Sequence, residues 1–313
     1  MVRGNGADHS AEEQPTVRKS NVERRKEFFD RGVAAYQRVM GTDADVYFCP
    51  VCEEAFGRDA LAEKQLTLEH VPARALRGRP ILLTCLDCQK LGSRQDAQVK
   101  NRTRLWDLNE ALRGRDGEYT GKATLHFDEL NVRADVEIRK GSAKFVPWTK
   151  SNNPATFDAA MEYYSAQSKA GNLKFKVTPR IRLDVRLSKV GDLKTAYLAA
   201  FAKFGYRYAA DLRLAAVRQQ IRQPKAQILP PWWIRPNTDG EGFPTLVVLD
   251  SPTTALAVHL RTGIVVLPWL GTVPDPYPQL HAATDADGNV QMSGTIVPWP
   301  SGMEMLLDFR DSV

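Results

Sequence analysis

Four cysteines, the only ones in the 313-residue chain, constrain its fold more than any other feature. They form two Cys-x-x-Cys pairs, Cys49 with Cys52 and Cys85 with Cys88. Two such pairs with no cysteine left over are typical of one tetrahedral Zn²⁺ held by four thiolates. Two disulfides would need an oxidising compartment, which nothing in the sequence indicates, and a redox motif would need only one pair. The pattern therefore predicts a structural zinc site.

The composition is that of an ordinary globular protein, with 43% hydrophobic and 26% charged residues. No apolar run approaches the length of a transmembrane helix, and the first residues lack the apolar segment of a signal peptide. We therefore expect a cytoplasmic protein that does not contact a membrane. Reduced thiolates, free to bind metal, are also expected in that compartment.

Charge is distributed unevenly along the chain, although the formal net charge is only +6. Residues 74–115 hold ten Lys and Arg against four Asp and Glu, and residues 171–235 hold fourteen against three. Such clusters are typical of proteins that bind a phosphate backbone, although isolated charge runs are often only solvated surface. Residues 236–313 are acidic, with two basic residues against nine acidic ones. We expect nucleic acid as the partner, and the acidic end could contact a protein or mask the basic surface.

The sequence pattern divides the chain into three parts and predicts an α+β fold. Residues 1–17 are polar without apolar periodicity, which predicts a disordered tail. Residues 18–115 begin with a capping box, Ser20-Asn-Val-Glu23, which predicts a helix. A short strand before each cysteine pair and a long helix after the second pair complete this part. Residues 116–313 are predicted to form a mixed α+β domain whose role the sequence does not define.

Within the C-terminal region the periodicity distinguishes strands from helices. Alternating and β-branched residues predict strands over 118–147 and a half-exposed strand over 181–187. Helices are predicted over 156–168 and over 192–221, the latter with a break at Gly205. The remainder is rich in proline and favours short strands.

One segment between the cysteine pairs carries the candidate chemistry. It reads Leu66-Thr-Leu-Glu69-His70-Val-Pro72, and the apolar run 81–84 separates it from the second pair. This order, over about residues 46–105, resembles the HNH endonucleases, which are ββα-metal nucleases, and most of all those with four cysteines flanking the catalytic hairpin. The resemblance implies an N-terminal zinc-stabilised unit made of a β-hairpin and a helix. It also implies an endonuclease that hydrolyses DNA and leaves a 5′ phosphate and a 3′ hydroxyl, in the setting of phage defence or mobile elements.

Two adjacent residues of this segment correspond to catalytic positions of the family. The resemblance implies that His70 is the general base, which suits an imidazole because its ordinary pKa is near 6.5. It implies that Glu69 helps to bind a catalytic Mg²⁺ or Mn²⁺, a cation that prefers oxygen ligands. The zinc would take no part in the chemistry, since four thiolates leave no open position on it.

The chain differs from the family pattern at two positions. Pro80 stands where the family usually has an asparagine, and Gln89 stands where an asparagine or histidine follows the fourth cysteine. Glutamine offers a metal one carbonyl oxygen and no charge. Asp96 shares a face of the predicted helix with Gln89 and could supply the missing ligand. The alternative function is a catalytically degenerate, zinc-stabilised adaptor that binds nucleic acid or protein.

Basic residues on the same predicted helix are candidates for phosphate contacts. Such contacts hold a nucleic acid in place without reading its sequence, and they make binding sensitive to salt. The candidate residues are Arg94, Lys100, Arg102 and Arg104.

Overall fold

The computed structural model describes residues 19–230, 233–235, 244–271 and 275–309. Helices and strands are mixed along the chain, which confirms the predicted α+β class. The predicted disordered tail, residues 1–17, lies outside the described residues. Among the residues that the structure describes, no helix has both the length and the apolar character needed to cross a membrane.

The N-terminal part begins with a capped helix, as predicted. Ser20 and Glu23 form the capping box of α1, and Gly41 ends this helix in a left-handed conformation, with φ of 62°. The strands β3 and β4 pair antiparallel as a hairpin, and α2 follows β4 directly. The bounds are α1 Asn21–Met40, β1 Tyr47–Phe48, β2 Ala55–Phe56, β3 Leu66–Val71, β4 Arg79–Cys85 and α2 Leu86–Leu112.

A separate four-stranded antiparallel sheet follows α2. Its strand order is β7-β6-β5-β8, and α3 packs against it. Inward-facing residues alternate along β6 with exposed ones, as expected for a sheet with one covered face. The bounds are β5 Glu118–Phe127, β6 Leu130–Arg139, β7 Ser142–Pro147, α3 Pro154–Lys169 and β8 Lys176–Pro179.

The chain then returns to the N-terminal part through a helix that is buried on nearly every side. This helix, α4 (Val185–Phe204), packs against α2 and contacts β3 and β4. Gly205 interrupts the helical run as predicted, and α5 Tyr206–Ala209 and α6 Leu214–Arg222 follow. The strand predicted over 181–187 is wrong, because Asp184 accepts a hydrogen bond from the Leu187 N–H at 2.9 Å and caps the start of α4.

The last part of the described chain is a five-stranded antiparallel sheet with strand order β13-β10-β11-β12-β9. Both α4 and α6 pack against this sheet. The bounds are β9 Ile234–Arg235, β10 Thr245–Ser251, β11 Ala255–Leu260, β12 Gly263–Pro268, α7 Pro276–Ala282, β13 Ser293–Val297 and α8 Leu306–Phe309.

Two hydrophobic cores result, and they do not divide at residue 115, where the sequence placed a domain boundary. The larger core joins Phe29 and Leu83 of the N-terminal part to Leu198 of α4 and Val258 of the last sheet. The smaller core holds the end of α2, the four-stranded sheet and α3. The reason is α4, which lies far along the sequence and completes the core of the N-terminal part.

Candidate metal centre and basic cleft

The two cysteine pairs are positioned by tight backbone structure. The first pair lies in the turn between β1 and β2, where the Cys49 N–H donates to Glu54 O at 3.0 Å and Glu53 adopts a left-handed φ of 64°. The second pair lies at the junction of β4 and α2, where Cys85 is the N-cap residue and Cys88 is in the first helical turn. Two elements that end in short turns therefore bring the four thiols to one point.

The geometry of this cysteine cluster fits a tetrahedral metal ion. All four sulfurs lie within 4.8 Å of one another, and the Sγ atoms of Cys52 and Cys85 are 3.6 Å apart. Zn–S bonds of about 2.3 Å at tetrahedral angles would place the sulfurs about 3.8 Å apart. Backbone N–H groups of Cys85 and Cys88 point at cluster sulfurs at 3.4 and 3.5 Å, and the N-terminus of α2 adds favourable charge for thiolates. The predicted cysteine cluster is confirmed as a site that could hold a metal such as zinc.

Glu69 and His70 lie on opposite sides of the hairpin, although they are neighbours in sequence. Side chains of a strand alternate between its two faces, and the pairing shifts at this point: Glu69 pairs with Leu82 and His70 with Pro80. Glu69 is buried, at 5% exposure, whereas His70 is partly exposed and lines an open cleft. Pro80 also lines this cleft. Proline has no backbone N–H to donate across the hairpin, and it is tolerated here because the shift in pairing forms a β-bulge.

The cleft that contains His70 is strongly basic. It has a volume of about 1250 Å³ and lies between α1 and the β3–β4 hairpin. Among the residues that the structure describes, Glu27 is the one carboxylate that lines it, and Glu27 is paired with Lys19 at 2.8 Å. The lining cations, which we call the cleft cations, are Lys19, Arg24, Arg25, Lys64, Arg74 and Arg79.

Most of the cleft cations point towards solvent and are available to an anion. Arg74 and Arg79 are exposed, and within the described part of the chain neither forms an ion pair. Arg25 is partly held, because it donates to Leu61 O at 3.3 Å. The cleft therefore has an excess of positive charge beside the His70 ring.

The environment of His70 favours the neutral imidazole. Partial burial lowers the pKa of His70 below its ordinary value of 6.5, and the positive charges of Arg74 and Arg24 lower it further, against an opposing effect of Glu69. A neutral imidazole at pH 7 can accept a proton. The arrangement thus combines a potential base with a positively charged wall.

Glu69 and Asp96, the predicted ligands of a catalytic Mg²⁺ or Mn²⁺, both bind Lys194 of α4 instead. The Lys194 Nζ lies 2.9 Å from Glu69 Oε1 and 2.8 Å from a carboxylate oxygen of Asp96. Thr84 donates a second hydrogen bond to Glu69, at 3.3 Å. Among the described residues, only the four cysteines form a convergent group of three or more metal-ligating side chains. Glu69 and Asp96 therefore do not fit a divalent ion as they stand, because an ammonium group occupies the space between them.

The remaining predicted residues on α2 are only partly available. Gln89 makes a long contact with Leu68 O, at 3.5 Å, on the side of β3. Arg94 and Lys100 are exposed, but neither lines the cleft that contains His70.

Arg102 and Arg104, the other two predicted phosphate ligands, both make contacts within the fold. Arg102 pairs with the buried Asp192 and also donates to Thr262 at 2.5 Å. Arg104 donates to Thr120 O at 2.9 Å and lies over the Tyr119 ring. Arg102 faces α4 and Arg104 faces the four-stranded sheet, so the Arg102 guanidinium is held by a buried carboxylate and that of Arg104 is held in part.

The residues that the sequence did not assign to the site come from other elements. Arg24 and Arg25 of α1 are plain in the sequence, but no local pattern connects them with a cleft at His70. Lys194 lies 125 residues from Glu69, so no local motif could connect them.

No protein-family model, curated protein or solved structure matches this chain. Its function is therefore inferred from its own residues.

Proposed function

We propose that the protein is an endonuclease that binds DNA in the basic cleft and hydrolyses phosphodiester bonds with His70 as the general base. The observation that carries this proposal is the position of a partly buried, neutral imidazole in a cleft lined by six Lys and Arg side chains. A cleft of one charge sign attracts the oppositely charged backbone and concentrates it near the base. We place this activity in the cytoplasm, where the cysteines stay reduced.

The reaction assigns one step to each group. His70 takes a proton from the attacking water, and the resulting hydroxide attacks phosphorus. The bond from phosphorus to the 3′ oxygen breaks with its electron pair on that oxygen, which takes a proton from solvent water, and His70 returns its proton to solvent. The products are a 5′ phosphate and a 3′ hydroxyl. Arg74 and Arg79, which line the cleft, would stabilise the charge that develops on the phosphoryl oxygens, as arginine does at other phosphates.

The cysteine cluster has a structural role in this proposal. A zinc ion held by four thiolates has no open position, so it would supply stability and no chemistry. It would join the β1–β2 turn to the junction of β4 and α2, and so hold the hairpin that carries His70. No step is assigned to a divalent cation between Glu69 and Asp96, since Lys194 occupies that position.

A second candidate is a nucleic-acid-binding adaptor that does not cleave. The contact of Lys194 with both predicted metal ligands favours it, as does Gln89, which stands where the family has an asparagine or a histidine as metal ligand. This candidate uses the same basic cleft and predicts salt-sensitive DNA binding. It differs from the first only in the absence of hydrolysis.

Nicking of supercoiled plasmid by the full-length protein separates the two candidates. His70→Ala should lower the nicking rate about 10²-fold or more while leaving DNA affinity nearly unchanged, because a general base contributes to the rate and not to ground-state binding. His259→Gln is the matched control, since His259 lies on β11 away from the cleft. DNA binding without nicking by the wild type would support the adaptor, and equal nicking by wild type and His70→Ala would reject His70 as the base.

A further inference from the structure

Three charged side chains from three different elements meet beneath the hairpin. Glu69 comes from β3, Asp96 from α2 and Lys194 from α4. The side chains of Lys194 and Glu69 are 6% and 7% exposed, and that of Asp96 is 20% exposed. The cluster is therefore closed on the side of Glu69 and open to solvent beside Asp96.

The absence of a side chain at Gly92 makes room for the Lys194 side chain. A Cβ atom added at Gly92 would lie 2.8 Å from Lys194 Nζ and 3.1 Å from its Cδ. Glycine at this position of α2 thus permits the ammonium to reach both carboxylates. Because burial of an unpaired charge is costly, each of the three groups depends on the others.

The ammonium and a divalent ion cannot share this place. Mg²⁺ or Mn²⁺ would need carboxylate oxygens at about 2.1 Å. The ammonium already lies within 3 Å of both carboxylates, so an ion bound by the same two oxygens would overlap it. The Lys194 ammonium also neutralises one of the two negative charges of Glu69 and Asp96, both of which a divalent ion would neutralise.

We propose that Lys194 is a resident cation that takes the place of a divalent ion, and that Glu69 and Asp96 form a latent divalent-cation site which opens when the ammonium is removed. The wild-type protein then acts on DNA in its basic cleft without a divalent cation, a consequence that rests on the proposed function. The latent site itself does not depend on that function, because it is a property of the two carboxylates and the space between them.

Direct measurement of Mn²⁺ binding tests the proposal. Zinc-loaded full-length protein, freed of other metals on a chelating resin, is titrated with Mn²⁺ and the free ion is followed by electron paramagnetic resonance. Lys194→Ala should bind one Mn²⁺ at least about tenfold more tightly than the wild type does, with a Kd of roughly 10⁻³ M or lower. The double variant Lys194→Ala with Asp96→Asn should lose that binding, which assigns it to the cluster.

Two further variants keep the test decisive. Lys194→Met fills nearly the same space without charge, so it should not gain the Mn²⁺ site. If Lys194→Ala does not fold, the wild type is compared with Asp96→Asn, and no Mn²⁺ binding that depends on Asp96 is expected. Mn²⁺ binding by the wild type that Asp96→Asn abolishes would overturn the proposal, and so would a folded Lys194→Ala that binds no Mn²⁺.

Plasmid nicking in the same metal-free buffer distinguishes a failure of this inference from a failure of the proposed function. If the wild type does not nick but Lys194→Ala gains the Mn²⁺ site, the endonuclease proposal fails and the proposal that Lys194 replaces a divalent ion is supported. If the wild type nicks only with added Mg²⁺ and Asp96→Asn abolishes nicking, the resident cation is wrong and the endonuclease stands.

Discussion

At His70, burial and neighbouring charge act on the imidazole in the same direction. Partial burial disfavours the charged ring, and Arg74 and Arg24 repel a second positive charge, so the pKa of His70 falls below its ordinary value of 6.5 despite Glu69 nearby. In the proposed endonuclease, the cations that keep the ring neutral would also attract a phosphate. One arrangement of side chains would then provide both the charge for binding and the basicity for catalysis.

The lowered pKa of His70 predicts the acid limb of the pH profile. A base whose pKa is below 6.5 is still more than half neutral at pH 6.5, so kcat/KM for plasmid nicking should fall to half of its plateau value only below pH 6.5. The ratio kcat/KM reports the pKa of His70 in the free protein, where no bound phosphate raises it. An inflection above pH 6.5 that His259→Gln leaves in place would contradict the assignment.

The site shows which of its residues a sequence can reveal. The cysteine spacing was sufficient to predict the cluster, because both pairs are local motifs with fixed reach. The neighbouring residues Glu69 and His70 are predicted to share one catalytic site, as metal ligand and general base, but strand alternation and the irregular pairing beside Pro80 place them on opposite sides of the hairpin. Lys194 was out of reach, since only the packing of α4 brings it to the hairpin.

At the scale of elements, the start and end of α4 decide how the chain returns to the N-terminal part. The alternation of residues 181–187 favours a strand, yet the Asp184 cap and burial on all sides favour a helix, and tertiary packing overrides the local pattern. At the other end, Gly205 adopts φ 87° and ψ −161°, a conformation open essentially to glycine only. The carboxylate of Asp308 accepts from the N–H groups of Tyr206 and Arg207 there.

Gly205→Ala should therefore destabilise the protein strongly. An added Cβ would lie 1.7 Å from Asp308 Oδ2, and the backbone conformation is strained for any other residue. We expect a loss of at least about 2 kcal/mol in the free energy of unfolding, measured by urea denaturation. Gly302→Ala is the control, since a Cβ there meets nothing within 4 Å, and its loss should stay below about 0.5 kcal/mol. Equal effects of the two substitutions would show that the Asp308 contact does not constrain this turn.

At the scale of the whole molecule, residues beyond position 180 hold the cysteine cluster from outside. Tyr197 donates its hydroxyl to Pro50 O at 2.7 Å, and Tyr206 donates to Phe48 O at 2.8 Å. Arg218 pairs with Glu53 at 2.8 Å. These contacts explain why the boundary predicted at residue 115 differs from the division of the cores. A composition shift marks where the charge pattern changes, but long-range packing decides which segments share a core.

The distribution of charge over the folded molecule also differs from its distribution along the chain. The basic blocks over 74–115 and 171–235 predicted a phosphate-binding surface centred on α2. In the structure, part of this charge is consumed by internal pairs, such as Arg102 with Asp192 and Lys194 with Asp96. The cleft at His70 instead draws its cations from α1 and the hairpin. If the protein binds DNA as proposed, the DNA is therefore expected on the α1 side of the molecule.

The salt dependence of DNA affinity tests this placement with two exposed arginines. Arg79 lines the cleft, whereas Arg94 lies on α2 and does not. Each phosphate contact on duplex DNA contributes about 0.9 to the slope of log affinity against log salt concentration, because neutralising a phosphate releases counterions. Arg79→Ala should reduce the slope by nearly that amount, measured by fluorescence anisotropy, and Arg94→Ala should leave it unchanged. If Arg94→Ala reduces the slope and Arg79→Ala does not, the DNA binds along α2 and not in the cleft. His70 would then lie too far from the DNA to act as the base.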